Sequence, residues 1–215
     1  MRKYIFSIIV ALLSLPVAAQ QRQPQAKTVL DNAAEAFRKA GGVQAEFAVK
    51  TYNNGQLESF SDGLIRLKGE KFLLKTSEAT TWFDGTTQWS YMDGSDEVNI
   101  SNPTQEELQS INPYALLYSY RKGFSYALGK VADFHGKPVF EVILTATDRK
   151  QSFSRIVLYV ARNTYQPVFI SLQQPGAKNR SEITVTAYQT GKKYADTDFV
   201  FDKKKFPKAE IIDLR

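Results

Sequence analysis

Residues 43–67 read Val-Gln-Ala-Glu-Phe-Ala-Val-Lys-Thr-Tyr-Asn-Asn-Gly-Gln-Leu-Glu-Ser-Phe-Ser-Asp-Gly-Leu-Ile-Arg-Leu. Ala45, Phe47 and Val49 alternate with Glu46, Ala48 and Lys50. That period of two places successive side chains on opposite faces of a strand. Asn54-Gly55 suits the positive backbone angles of a tight hairpin turn, and the strand signal resumes over 58–67. The stretch therefore reads as a β-hairpin, and the same grammar continues outward from it. Further strands are predicted at 71–76, 79–83, 87–92 and 96–100, with turns at Lys68-Gly69-Glu70, Asp84-Gly85 and Asp93-Gly94. A second run follows at 124–132, 138–146, 153–161, 167–173, 181–189 and 198–201. Its alternating sets are Phe140/Val142/Leu144, Ile156/Leu158/Val160 and Val168/Ile170/Leu172. About eleven short strands with such turns indicate an antiparallel meander.

Three segments carry helical signals instead. Thr28 suits an N-cap, Asp31 falls in the first turn, and Leu30, Ala34 and Phe37 share one face before Gly41-Gly42 stops the helix. Asn102-Pro103 and Asn112-Pro113 each place a cap residue before a proline in the first helical position. In the second of these helices Ile111 and Leu116 suit a hydrophobic staple. Arg121 and Lys122 fall in its last turn, and Gly123 ends it. No linker divides the chain after the leader. The reading is one domain, mainly β with α: a curved antiparallel sheet or open barrel with helices packed over it.

The first 19 residues have the form of a secretory signal. Arg2 and Lys3 precede an apolar run, Tyr4 to Leu15, too short for a comfortable membrane span. Pro16 ends it, and Val17-Ala18-Ala19 offers small residues for cleavage after Ala19. Gln20 to Ala26 reads as a short polar stretch following this leader, and residues 20–215 as the exported domain. No cysteine is present to take a lipid anchor, so a freely moving exported protein is expected.

Composition excludes much chemistry. The 215 residues carry no Cys and one His, so disulfides, thiolate nucleophiles and Cys- or His-cluster metal sites are ruled out. His135 lies in the turn sequence Phe-His-Gly-Lys-Pro, and no GxSxG elbow accompanies it. Asp93, Asp96 and Glu97 lack the spacing of a calcium loop and read as a solvated hairpin tip. Asn179-Arg180-Ser181 matches a glycosylation sequon, a three-residue pattern common by chance. The net charge of +6 loses two positive charges with the leader, and Lys203-Lys204-Lys205 has no interleaved aromatic platform, so nucleic acid is not expected. What the composition does offer is aromatic surface: 14 Phe, 11 Tyr and 2 Trp.

Three motifs resemble one family. Trp82-Phe83-Asp84-Gly85-Thr86-Thr87-Gln88-Trp89-Ser90-Tyr91 looks like the DGKTLWxY hairpin of the periplasmic outer-membrane lipoprotein carriers, the LolA-like family. Asn112-Pro113-Tyr114-Ala115-Leu116-Leu117 is similar to its NPxxLL helix start. The tail Asp198-Phe199-Val200-Phe201, followed by Phe206-Pro207 and Ile211-Ile212-Asp213, resembles its closing strand. The three occur in the family's order across nearly the whole exported chain.

The resemblance implies an unclosed antiparallel β-barrel covered by about three helices that form a lid. Its hollow would hold acyl chains. Acylated lipoproteins are the implied cargo, taken from an inner-membrane ATP-driven exporter and handed to an outer-membrane acceptor. Membrane contact would be transient, and a monomer is expected. No catalytic residue, metal or cofactor is expected: the chain reads as a transport protein, not an enzyme. On this reading Phe47, Val49, Ile65, Leu67, Phe72, Leu74, Trp89, Tyr91, Phe140 and Val142 face the hollow, and Ile111, Leu116 and Leu117 belong to the lid. The alternative is a periplasmic domain of the same fold that senses a lipid or lipoprotein without transferring it. One departure stands out. Family members place a buried arginine after the second strand, where it helps latch the lid, and this chain has Gly69 there, with Arg66 predicted to face outward.

Overall fold

The computed structural model describes residues 17–105, 107–108, 112–115, 120–149, 151–176 and 178–215, with the side chains of 17–23 and of Pro113 excepted. One α-helix, α1 (Val17–Lys39), is described over its whole span, with thirteen strands among the described residues. These are β1 (Gly42–Asn53), β2 (Gln56–Lys68), β3 (Lys71–Thr76), β4 (Ala79–Phe83), β5 (Gln88–Met92), β6 (Glu97–Ser101), β7 (Phe124–Leu128), β8 (Asp133–Phe134), β9 (Lys137–Ala146), β10 (Arg155–Ala161), β11 (Pro167–Gln173), β12 (Arg180–Gln189) and β13 (Glu210–Asp213). All belong to one unclosed sheet, ordered β13-β6-β5-β4-β3-β2-β1-β12-β11-β10-β9-β7, with β8 paired to β9.

The opening hairpin forms as predicted. Asn54 and Gly55 both take positive φ, 51° and 84°, which is what a two-residue turn matching strand twist demands. The first meander runs β1 to β6, and the second returns from β7 to β12. They join where β12 pairs antiparallel with β1, so that Val49 meets Ile183 and Phe47 meets Val185.

The inner core lies on the concave face. Ala26, Val29, Leu30, Ala33 and Phe37 of α1 are buried, a stripe spaced by three and four residues. They pack against the inward residues of β7 and β9, including Val142 and Leu144. Burying each large apolar side chain contributes about 1.5–3 kcal/mol.

The helix differs from expectation in its start. It runs through Pro24 from Val17, so Thr28 lies inside it and donates to the Pro24 carbonyl (3.0 Å) instead of capping. It ends at Lys39, before Gly41 takes the left-handed conformation (φ 72°) that side chains resist. Of the two later predicted helices only parts fall among the described residues, and neither is confirmed over its length. In that region Thr104 and Glu107 form a reciprocal cap, and Pro113–Ala115 makes a single 3-10 turn. Gln105, Glu107 and Leu108 are helical and residues 120–121 form a turn, while Ile111, Leu116 and Leu117 lie outside the described residues. Among the described residues no helix is long and apolar enough to cross a membrane.

A second core lies on the opposite, convex face. Trp82 pairs with Trp89, which pairs with Ile100, and Thr80 pairs with Tyr91, which pairs with Val98. The C-terminal segment folds over this ladder. Phe201 and Phe206 meet the Trp82 ring edge-on, both at 5.6 Å, and Phe206 also meets Tyr91 at 4.8 Å. Phe199 and Ala209 are buried beneath the segment, and Asp196 pairs with Lys68 and Lys71 at its start. The strand predicted at 198–201 is instead a 3-10 turn, Asp196–Phe199, because Asp198 turns back to accept the Ala195 N–H (2.9 Å). The closing strand is β13, and it runs parallel to β6.

One polar cluster fastens α1. Lys27 donates to Asp31 (2.5 Å), the Tyr120 hydroxyl donates to the same carboxylate, and Arg121 completes the group at 2.6 Å. The Lys27 and Tyr120 hydrogen bonds, with Arg121 adding to them, hold the Asp31 carboxyl well below its ordinary range. A carboxyl lowered on folding adds stability above its unfolded pKa of 3.8 and loses it as the pH falls below that value. Asp31→Asn should therefore melt lower than the wild type near neutral pH, with the gap narrowing below about pH 4. A gap that stays constant in melts from neutral to acidic pH would contradict this account. For the outer core, Trp82→Ala should cost about 3–5 kcal/mol in urea unfolding. A loss below about 1 kcal/mol would mean that the tail does not pack there.

Candidate functional site

The inner face of the sheet is not filled throughout. Between β1–β3 on one side and β11–β12 on the other lies an apolar cavity of about 300 Å³. Phe47 and Val49 of β1, Ile65 of β2 and Leu74 of β3 form one wall. Ile170 and Leu172 of β11 and Ile183 and Val185 of β12 form the other. Thr76, Gln174 and Ser181 give it a polar rim at the ends of their strands, and Tyr114 and Phe153 complete the lining.

Local sequence explains the hollow. Gly63 lies opposite Phe47, and a Cβ there would stand 2.6 Å from the Phe47 ring. The missing side chain lets that ring lie across β2 instead of standing into the space. A bulge between Glu46 and Phe47 shifts the register with β12 at the same level. Ser61 and Ser181, facing Val49 and Thr51, add little volume. The clearest sign is β12 itself. It is flanked by strands on both sides, yet none of its residues is fully buried. Ile183 and Val185 face open space.

Tyr114 bounds the cavity on the side of α1. Its backbone N–H donates to the buried Asn112 side chain (3.0 Å), which fixes the short turn that carries it. The ring lies between Phe37 of α1, stacked at 5.9 Å, and Tyr188 of β12 at 6.4 Å. Burial pushes both phenols, Tyr114 and Tyr188, above their ordinary value of 10.0, so both remain neutral hydroxyls.

The predicted lining divides into three groups. Phe47, Val49, Ile65 and Leu74 do line the cavity. Leu67, Phe72, Phe140 and Val142 share the concave face but belong to packed surroundings: Phe72 against Phe83 at 5.3 Å, and Phe140 stacked on Tyr165 under Arg162. Trp89 and Tyr91 are corrected: they project from the convex face into the outer core. Their concave neighbours in β4–β6 are polar instead, with Thr81 beside Ser90 at 3.4 Å and Gln88 donating to Ser90 at 3.0 Å. Sequence reasoning missed Tyr114, Phe153, Ile170, Ile183 and Val185. Ile170 and Leu172 were visible as an alternating set, but only the β1–β12 pairing shows which face they share.

Elsewhere the chemistry is sparse. His135 occupies the β8–β9 turn with φ 52°. Among the described residues no group of three acidic or His side chains could hold a metal ion. A second hollow of about 320 Å³ on the convex face is of mixed polarity, lined by Arg66, Lys75, Asp198 and Asp202 beside Trp82 and Phe206. Arg66 thus faces outward as predicted, covered by the tail, with its guanidinium 6.0 Å from the Tyr194 ring.

The fold has a counterpart in an uncharacterized conserved protein from Thermus thermophilus, with a TM-score of 0.62, 11% identity, and coverage of 88% of this chain and 99% of that one. A LolA superfamily protein from Nitrosomonas europaea aligns with a TM-score of 0.47 and 12% identity over 82% of this chain and 97% of that one. An outer membrane lipoprotein-sorting protein domain from Vibrio parahaemolyticus aligns with a TM-score of 0.46 and 13% identity over 84% and 99%. No curated protein matches the sequence. Residues 16–176 match the family described as outer membrane lipoprotein carrier protein LolA. With three quarters of its length matched and the unclosed sheet in place, the chain belongs to that LolA family.

Proposed function

We propose that this protein is a periplasmic carrier that shields lipoprotein acyl chains in the cavity between β1–β3 and β11–β12 and moves them from the inner to the outer membrane. It acts by binding, not catalysis. The observation that carries the reading is the unfilled apolar hollow, bounded by side chains of five strands and by Tyr114. Each methylene moved from water into such a place gains about 0.8 kcal/mol, so an acyl chain exposed in the periplasm has a strong drive to enter. At about 300 Å³ the space is at the small end of ligand pockets and suits one chain better than a bundle. Its polar rim of Thr76, Gln174 and Ser181 suits the passage from chain to headgroup.

On this reading the leader is removed after Ala19. An inner-membrane ATP-driven exporter loads the carrier, and an outer-membrane acceptor unloads it. Family membership supports the cargo class, and the cavity supports the mode of binding.

The test is lipid extraction and mass spectrometry of the purified exported protein beside an Ile183→Trp variant that fills the hollow. The wild type should retain an acylated ligand. The variant should retain at least about tenfold less, since a well-packed cavity admits no extra volume, with its melting temperature unchanged or raised. Equal retention by both would remove the cavity from the mechanism. Ligand that binds but never passes to acceptor vesicles would move the assignment to a sensing domain of the same fold.

A further inference from the structure

We propose that the hollow between the C-terminal tail and the convex face of β2–β4 binds a small organic carboxylate with an apolar or aromatic body, gripped by the Arg66 guanidinium. The site lies on the opposite face of the sheet from the acyl cavity. Arg66 alternates with Ile65 of that cavity's wall, and Leu73 and Lys75 flank Leu74 of the same wall. The proposal goes beyond the carrier reading and does not depend on it.

Arg66 is a cation without a counter-charge. Its strand partners are Gln44 and Leu73, neither of them acidic. Its Nε is buried with no hydrogen-bond partner, and among the described residues its terminal nitrogens form no hydrogen bond or ion pair either. Those terminal nitrogens, unlike Nε, are not closed off from solvent, and the residue lines the hollow. The Tyr194 ring stands 6.0 Å from the guanidinium, at the outer limit of a cation–π attraction. A half-buried guanidinium in that state has donors to offer an incoming oxyanion, and its planar fork matches a carboxylate through two parallel hydrogen bonds.

The surroundings define the ligand further. Lys75 of β3 and Lys205 of the tail also line the hollow, and neither has an ion-pair partner among the described residues. The nearby carboxylates are engaged elsewhere. Asp198 accepts the Ala195 N–H (2.9 Å), Asp202 accepts the Lys204 N–H (3.0 Å), and Asp196 is shared by Lys68 and Lys71. Asp198 and Asp202 line the same hollow, so they repel a second negative charge and favour a carboxylate over a phosphate dianion. Leu73, Trp82, Val200 and Phe206 supply apolar surface for the body of the ligand, and about 320 Å³ gives room for a small organic molecule.

The experiment is calorimetric titration of the purified exported protein with 3-phenylpropionate, its neutral amide and 2-phenylethyl phosphate, at about pH 8, where the phosphate is a dianion. The wild type should bind the carboxylate at least about tenfold more tightly than the amide, and more tightly than the phosphate. Arg66→Gln should lose at least about tenfold in affinity for the carboxylate and little for the amide. Arg66→Lys, which keeps the charge but not the fork, should fall between. Nitrogen-15 spectra of the wild type give a reading free of any variant: 3-phenylpropionate should move the side-chain N–H signals of Arg66 and Trp82, and the amide should leave that of Arg66 in place. Absence of those shifts, equal affinity for carboxylate and amide, or unchanged binding in Arg66→Gln overturns the proposal. Tighter binding of the phosphate than of the carboxylate overturns the ligand class.

Discussion

The antiparallel pairing of β1 with β12 is the contact on which the rest of the molecule depends. It joins residues as distant in sequence as Thr51 and Ser181, and it converts two meanders into one sheet. Long-range pairing of this kind must overcome loop-closure entropy before its contacts contribute. Here it has support on both sides. β1 already belongs to a hairpin closed by Asn54-Gly55, and β12 is paired with β11. Once formed, it sets Phe47 beside Val185 and Val49 beside Ile183, which joins the two walls of the cavity along one face of the sheet.

The same sheet must then cover apolar side chains on both of its faces. Over β7 and β9 the concave face is covered by α1. Over β4–β6 the polarity reverses: the concave ladder is Thr81, Ser90 and Asn99, and the convex one is Trp82, Trp89 and Ile100. The tail resolves that reversal by bringing Phe201 and Phe206 over the outer ladder. Among the described residues, the stretch between these two regions, along β1–β3, β11 and β12, has inward apolar residues that border open space. The hollow is where neither cover reaches.

Much of this was legible in the alternation of residues. The strands at 43–53, 71–76, 79–83 and 138–146 follow from period two and from their turns. Face assignment was legible only where one parity is clearly polar. In β1, Glu46 and Lys50 mark the outside, and Phe47 and Val49 fall where predicted. In β5, Trp89 and Tyr91 compete with Gln88 and Ser90, so the aromatics drew the assignment inward. The tail held the missing signal: Phe199, Phe201 and Phe206 need a surface to cover, and an aromatic ladder on the outer face supplies it. Tyr114 was legible as part of an Asn-Pro helix start but not as a wall of the site, because its neighbours Phe37 and Tyr188 are brought to it by tertiary packing alone.

The absent arginine also finds a physical account. Gly69 occupies the β2–β3 turn with φ 59°, a conformation that a side chain resists, so the position is committed to turning the chain. No long cation could reach the hollow from there without rebuilding the hairpin. What holds α1 to residues 120–121 is instead the Asp31 cluster with Lys27, Tyr120 and Arg121, whose cations are about half-exposed or more. Exposed ion pairs contribute little and weaken with salt, whereas a buried arginine left without its partner is strongly destabilising. A helix fastened in this way is held to the following segment by pairs that water and salt can weaken.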